Sequence, residues 1–179
     1  MYQFIWEIRS VKRSKRDFLA PFTSAWEQRK LGEVLQKQIK GKAQSEKLSI
    51  GNVEYLDAAR LNGENIFLSN GIRDVNADDI LIMWDGASAG KVYIGFEGVL
   101  GSTLKAYTTK KEVSSKFVYQ YLSANEDEIF RKYRTPNIPH VIKNFTDIFN
   151  IPVPCLAEQT TIGTIFSTLD TLLTLHQRE

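Results

Sequence analysis

Residues 78–109, DDILIMWDGASAGKVYIGFEGVLGSTLKAYTT, decide the fold. β-branched and aromatic residues gather in three runs, 80–84, 91–96 and 103–108, the pattern of consecutive strands. Gly86, Gly90, Gly95, Gly98 and Gly101 make up five of the chain's eleven glycines and crowd into and between those runs. Glycine costs backbone entropy unless a position needs positive φ or close approach, so the cluster predicts tight turns and bulges in a strongly bent sheet. Such a sheet offers loops to a partner and carries no catalytic apparatus of its own. The expected class is α+β (mixed α/β), with short helices flanking the bent sheet.

Working outward, the N-terminal side is basic. Residues 1–50 hold eleven Lys and Arg against five Asp and Glu, whereas the remainder holds twelve against sixteen. A basic half permits phosphate contact without proving it. Residues 1–20 look foreign to the domain: MYQFIWEI is followed by Arg9, Lys12, Arg13, Lys15 and Arg16. This leader reads either as a basic arm for nucleic acid or as a solvated, disordered segment. KLGEVL, residues 30–35, predicts a helical turn burying Leu31, Val34 and Leu35. QKQIKGKAQSEK, residues 36–47, carries four lysines and no aromatic residue, and predicts a loop that is either phosphate-facing or simply mobile. A strand is expected over 51–61, ending at Asn62-Gly63, and a shorter one over 66–68 before Asn70-Gly71. Asp78 and Asp79 are expected at the surface.

Downstream, Ser114 or Ser115 can cap a helix that buries Phe117, Val118, Tyr121 and Leu122. A second helical turn starts with Glu126, Asp127 and Glu128 and ends with Arg131, Lys132 and Arg134, charges that suit its macrodipole. The loop TPNIPHVIKN follows, then a strand over 148–153. Residues 157–176 predict a long helix. Ile162, Ile165, Leu169, Leu172 and His176 alternate by three and four, the seam of a coiled coil or bundle, with Phe166 and Leu173 widening it.

Most tests for chemistry fail. DGASAGKV falls one residue short of a phosphate loop, has Val92 where Ser or Thr should hold magnesium, and leads into a strand. His140, His176 and the single cysteine, Cys155, form no metal-ligand spacing. Asp78, Asp79 and Asp85 lack the Glu-x-Lys or Asp-x-Lys triplet of a metal-dependent nuclease. Apolar runs reach only about five residues, too few to span a bilayer, and one cysteine fits a reducing cytoplasm. A binding module therefore outranks an enzyme.

Three patches, in this order and spacing, resemble the specificity (S) subunit of type I restriction–modification systems. They are AWEQRKLGEVL (25–35), DILIMWDGASAGKVYIGFEGVLGSTLKAYTTK (79–110) and TPNIPHVIKNFTDIFNIPVPCLAEQTTIGTIFSTLDTLL (135–173). The second is similar to the family's Asp-Ile-Leu, Gly-x-x-Gly-Lys and Gly-Ser pattern. The third is similar to its Ile-Pro-His loop, Ile-Pro-x-Pro strand and Glu-Gln-x-x-Ile helix start. Pro136 departs from the glycine commoner there, and residues 1–20 match nothing in the family. The resemblance implies a target-recognition domain over 21–155 and the start of a conserved spacer helix over 156–179. A complete S subunit has two of each, so the chain looks like a half-subunit, a truncated product or an excised piece.

The resemblance further implies a non-catalytic, cytoplasmic DNA-recognition subunit that reads one half of a bipartite double-stranded target and docks methyltransferase and restriction subunits. It needs no cofactor itself; S-adenosylmethionine and ATP would be bound by those partners. The alternative is a helix-mediated dimerisation module that does not touch DNA. Base edges are read by forked or amide donors and acceptors, and phosphates are held by Lys, Arg, Ser and Thr. Candidate readers are Arg60, Asn62, Asn70, Arg73, Ser88, Arg134, Asn137 and His140; candidate phosphate holders are Lys37, Lys40, Lys42, Lys91, Arg131, Lys132 and Lys143. Each also reads as an ordinary solvated side chain. Ile162, Ile165, Phe166, Leu169, Leu172, Leu173 and His176 are the candidate dimer or subunit interface.

Overall fold

The computed structural model describes residues 26–64, 66–137 and 139–176; the expected leader, 1–20, lies outside them. Nine short strands and six helices form three small sheets under a helical layer among these residues. β5 (Ile80–Met83) is the centre, and all four of its side chains are buried. Ile80 and Ile82 enter one apolar cluster, Leu81 and Met83 a second, so both faces of the strand are covered. That double burial explains a continuous apolar run where a half-exposed strand would alternate. β5 lies between β8 (Leu104–Thr109) and β6 (Val92–Tyr93), and β2 (Leu35–Lys40) closes the far side of β8. All three pairings are antiparallel.

The bend takes the form of a break between sheets. After β6 the chain leaves the four-stranded sheet, and β7 (Val99–Leu100) pairs in parallel with β3 (Ile50–Leu56). β4 (Leu68–Ser69) flanks β3 on its other side. The glycines supply two kinds of freedom here. Gly86, Gly90 and Gly95 have φ of 97°, 102° and 89°, which L side chains rarely adopt. Gly98 instead permits close approach, since a Cβ there would lie 2.1 Å from the Glu54 carbonyl oxygen.

Several local expectations are corrected. Residues 36–47 are not a loop throughout: β2 pairs from Leu35 to Lys40 with β8, and a parallel bridge from Ala43 to Gly101 and a 3₁₀ turn, Ser45–Lys47, follow. The lysine-rich sequence has weak strand propensity, and pairing with a buried neighbour overrides it. The strand expected over 51–61 stops at Leu56, where the Asp57 carboxylate accepts from the Arg60 amide and starts α2 (Ala58–Leu61). Asp79 is buried, not superficial. Its two oxygens accept from the Asn76 amide (2.9 Å) and the Thr108 hydroxyl (2.6 Å), tying the start of β5 to β8.

α1 (Leu31–Val34) buries Leu31 and Val34 as expected, but β1 (Glu27–Lys30) precedes it and pairs antiparallel with β9 (Asn150–Val153). α3 (Ser115–Ala124) is capped by Ser114, whose hydroxyl accepts from the Phe117 amide. α4 (Glu126–Lys132) follows directly, and a short helix, α5 (Phe145–Ile148), takes the first residue of the strand expected over 148–153, which starts only at Asn150.

α6 (Leu156–His176) leaves the domain along α3. Gly163 brings its backbone against α3, where a Cβ would meet Lys116 Cβ and the Phe117 nitrogen at 3.0 Å. Gln159 Oε1 accepts from the Ser114 amide (2.9 Å), and Asp170 accepts from Gln120 Nε2 (2.7 Å). No described helix is long and apolar enough to cross a membrane.

Candidate nucleic-acid interface

At one end of the four-stranded sheet, two loops are laced together by backbone bonds. The Trp84 carbonyl accepts from the Val141 amide (2.9 Å), and the Gly86 amide donates to Pro139 (2.8 Å). Asp85 and His140 are bridge partners, and Arg134 and Val141 form a second bridge. Within the second loop, Thr135 Oγ1 lies 3.0 Å from His140 Nδ1, and the Thr135 amide donates to the His140 carbonyl (2.9 Å). The fold thus unites the turn bearing Ser88 and Lys91 with the loop bearing Arg134, Asn137 and His140, segments some fifty positions apart. Asn137 and Lys143 are exposed; Ser88, Arg134 and His140 are half-buried. The Arg134 guanidinium lies 3.5 Å from the centroid of the Phe130 ring, a stacked position that holds its fork in place.

Lys91 is exposed but not alone. It shares a shallow recess with Ser88, Glu126, Asp127 and Phe130. The Glu126 carboxylate accepts from the Val92 amide at 2.8 Å, and burial pushes its pKa up. Acid beside Lys91 weakens its attraction for phosphate and favours a role in the turn itself. Arg131 and Lys132 point into solvent, each within reach of a carboxylate one turn earlier: Asp127 at 3.7 Å and Glu128 at 3.0 Å. Such exposed pairs are weak and easily exchanged.

The remaining candidates divide. Lys37 and Lys42 are exposed on and just after β2, while Lys40 pairs with Asp85 at 2.5 Å. Arg60, Asn62, Asn70 and Arg73 stand on the three-stranded sheet and its loops, each with an intrachain partner. Arg60 pairs with Glu54 and sits over the Phe96 ring, and Arg73 pairs with Glu97 at 3.2 Å. Asn62 Oδ1 accepts from the Tyr93 hydroxyl, and Asn70 Oδ1 from the Ser49 amide.

Sequence reading passed over Lys105. Its register on β8 sets it directly opposite Lys40, and its Nζ rests 3.4 Å from the Trp84 ring centroid. Burial, followed by the charge of Lys40, lowers its pKa. Alternation along LKAYTT could have flagged it, because Lys105 shares a face with buried Tyr107.

The seam expected on α6 is partly redirected. Phe166, read as partner-facing, is only 5% exposed, and Ile162 is half-buried against the domain's own apolar cluster. Gly163 lets α6 approach closely enough to absorb both. Ile165, Leu169, Leu172 and Leu173 stay between 43% and 56% exposed, and His176 is exposed. Among the described residues, no group of three or more His, Cys, Asp or Glu could hold a metal ion.

A laced pair of loops thus stands at a sheet end, with a helix carrying exposed apolar residues leading away. The model of the type I restriction modification DNA specificity domain matches residues 23–179. The chain belongs to that family. The type I restriction enzyme MjaVIII specificity subunit of Methanocaldococcus jannaschii is 34% identical over 158 residues, covering 83% of this chain and 36% of the relative.

Among solved structures, the specificity fold recurs in the S subunit of a type I system from M. genitalium (TM-score 0.71, 22% identity, 87% of this chain and 41% of that one). It recurs also in the HsdS subunit of Thermoanaerobacter tengcongensis (TM-score 0.67, 18% identity, 99% and 45%). A chain of a type I R-M system solved for its complex assembly and conformational transition gives a TM-score of 0.72 at 19% identity, again covering 99% and 45%. This specificity domain therefore spans less than half the length of each of these relatives.

Proposed function

We propose that this chain is a sequence-specific DNA-binding specificity subunit, or half-subunit, of a type I restriction–modification complex. It reads one half of a bipartite duplex target and docks the methyltransferase and restriction subunits. The observation that carries this reading is the lacing of the Asp85–Lys91 turn to the Arg134–Val141 loop. That junction gathers a guanidinium, an amide and an imidazole at one sheet end, the donor and acceptor types that discriminate base edges. Lysines on and beside the same sheet supply phosphate contacts, which position a protein without carrying sequence information.

The subunit is non-catalytic and binds no cofactor of its own. S-adenosylmethionine and ATP belong to its partners, and the assembly works in the cytoplasm. The exposed apolar residues of α6 dock a partner helix, from a second copy of the chain or from the other subunits. Fluorescence anisotropy with random-sequence duplex tests the DNA reading. Binding is expected to be weak and salt-sensitive, with Kd on the order of 10⁻⁴–10⁻⁶ M near physiological salt, as for non-specific contact. No binding by micromolar protein at any salt concentration would defeat it.

A further inference from the structure

We infer that Lys40 and Lys105 form a seat for one backbone phosphate of the duplex, a seat that the Asp85 carboxylate fills in the DNA-free protein. The inference rests on the DNA-binding reading above and adds to it a residue, Lys105, and an exchange of anions.

Like charges directly opposite in an antiparallel pair repel. Lys40 and Lys105 are direct partners in the β2–β8 register and lie on one face of the sheet. Lys105 is half-buried on that face, where an apolar residue would suit the neighbouring core better. Its ammonium rests on the Trp84 ring, which satisfies charge on one side and leaves N–H donors for another partner. Asp85 bonds Lys40 at 2.5 Å and its charge also acts on Lys105, ahead of the charge of Asp147.

The place is also right. Asp85 is the bridge partner of His140, so the two cations stand at the root of the laced loops. The Lys40 and Asp85 side chains are 36% and 43% exposed, open enough for a phosphate oxygen to reach them. An ion pair so exposed is weakly held, and a phosphodiester can replace its carboxylate. The exchange costs Asp85 one partner and gives the phosphate two.

Salt-dependent binding of this chain to a random-sequence duplex, followed by anisotropy, is the test. Lys105→Gln is expected to make the log K against log salt slope shallower by about 0.9 and to weaken binding roughly tenfold near 0.1 M salt. Lys105→Arg, which keeps the charge, should retain most of the slope. Asp85→Asn should tighten binding, and the gain should vanish in a Lys105→Gln background.

Glu112→Gln, an exposed acid beyond the far end of β8, controls for net charge alone. Should Lys105→Gln not fold, Lys40→Gln reads the same slope. An unchanged slope, or a Glu112→Gln gain equal to that of Asp85→Asn, overturns the seat while leaving DNA binding intact. Absence of binding by the unaltered chain overturns both.

Discussion

Replacing Gly163 separates two packing accounts of α6 sharply. Alanine there adds a Cβ 3.0 Å from Lys116 Cβ and the Phe117 nitrogen and 3.2 Å from the Lys116 carbonyl carbon. Relief needs a shift of only a few tenths of an ångström. The gain in helix propensity, about 1 kcal/mol, offsets a strain of similar size, so Gly163→Ala should be nearly neutral.

Leucine is different. Its branched end has no space, and α6 must lift from α3 toward the ordinary interaxial distance of about 8–10 Å. Lifting breaks the Gln159–Ser114 and Gln120–Asp170 hydrogen bonds and uncovers Phe166. The two bonds contribute about 2–3 kcal/mol together. Partial exposure of Phe166 adds about 1 kcal/mol, and the improved propensity returns somewhat less than 1 kcal/mol.

The net loss for Gly163→Leu is thus about 3 kcal/mol, a fall in Tm of about 6–12 °C for a domain of this size. Thermal unfolding by circular dichroism, with the alanine variant beside it, measures both. A leucine variant melting within about 2 °C of the parent would refute the glycine contact as the site where α6 docks.

Asp79→Ala should cost about 2–3 kcal/mol in chemical denaturation, because the Asn76 amide and Thr108 hydroxyl both lose a buried, charged acceptor, and Asp79→Asn should cost less. An unmoved denaturation midpoint would show those groups to be satisfied elsewhere. Glu126→Gln should raise Tm by about 1–2 °C near neutral pH, since the amide keeps an acceptor for Val92 and removes a poorly solvated charge. The sign follows from a folded-state pKa raised by burial: folding favours the protonated carboxyl, so the native glutamate is at its best in acid and loses that advantage as pH rises. The variant's lead should therefore shrink as pH falls through the glutamate range; a lead independent of pH points to packing instead. Leu169→Asp, at a position 43% exposed, should change stability by no more than about 0.5 kcal/mol. It should reduce any dimer to monomer by light scattering and leave affinity for random duplex unchanged; a dimer that survives moves the self-association surface off α6.

Local features were legible from residues alone because they are set within a few positions. The three-four spacing of apolar residues predicts α6, and the Ser114-Ser115 pair predicts the cap of α3, which Ser114 provides. The glycine cluster marks where the chain turns and where strands approach closely. The motif order placed the chain in its family. All of this depends on chemistry that neighbouring residues share.

What stayed hidden depends on partners far along the chain. Nothing near Glu27 says that it will pair with Val153, and nothing in QKQIK says that β8 will turn it into a strand. The apolar stripe of α6 is visible, yet which part packs on its own domain follows from Gly163 meeting α3, so Phe166 turns inward and Leu169 remains outside. Lys40, Asp85 and Lys105 are unremarkable one by one and come together only when register sets two lysines face to face beside a carboxylate. Spacing encodes conformation within an element. The meeting of charges from two strands and a turn is encoded in their alignment, which only the folded chain establishes.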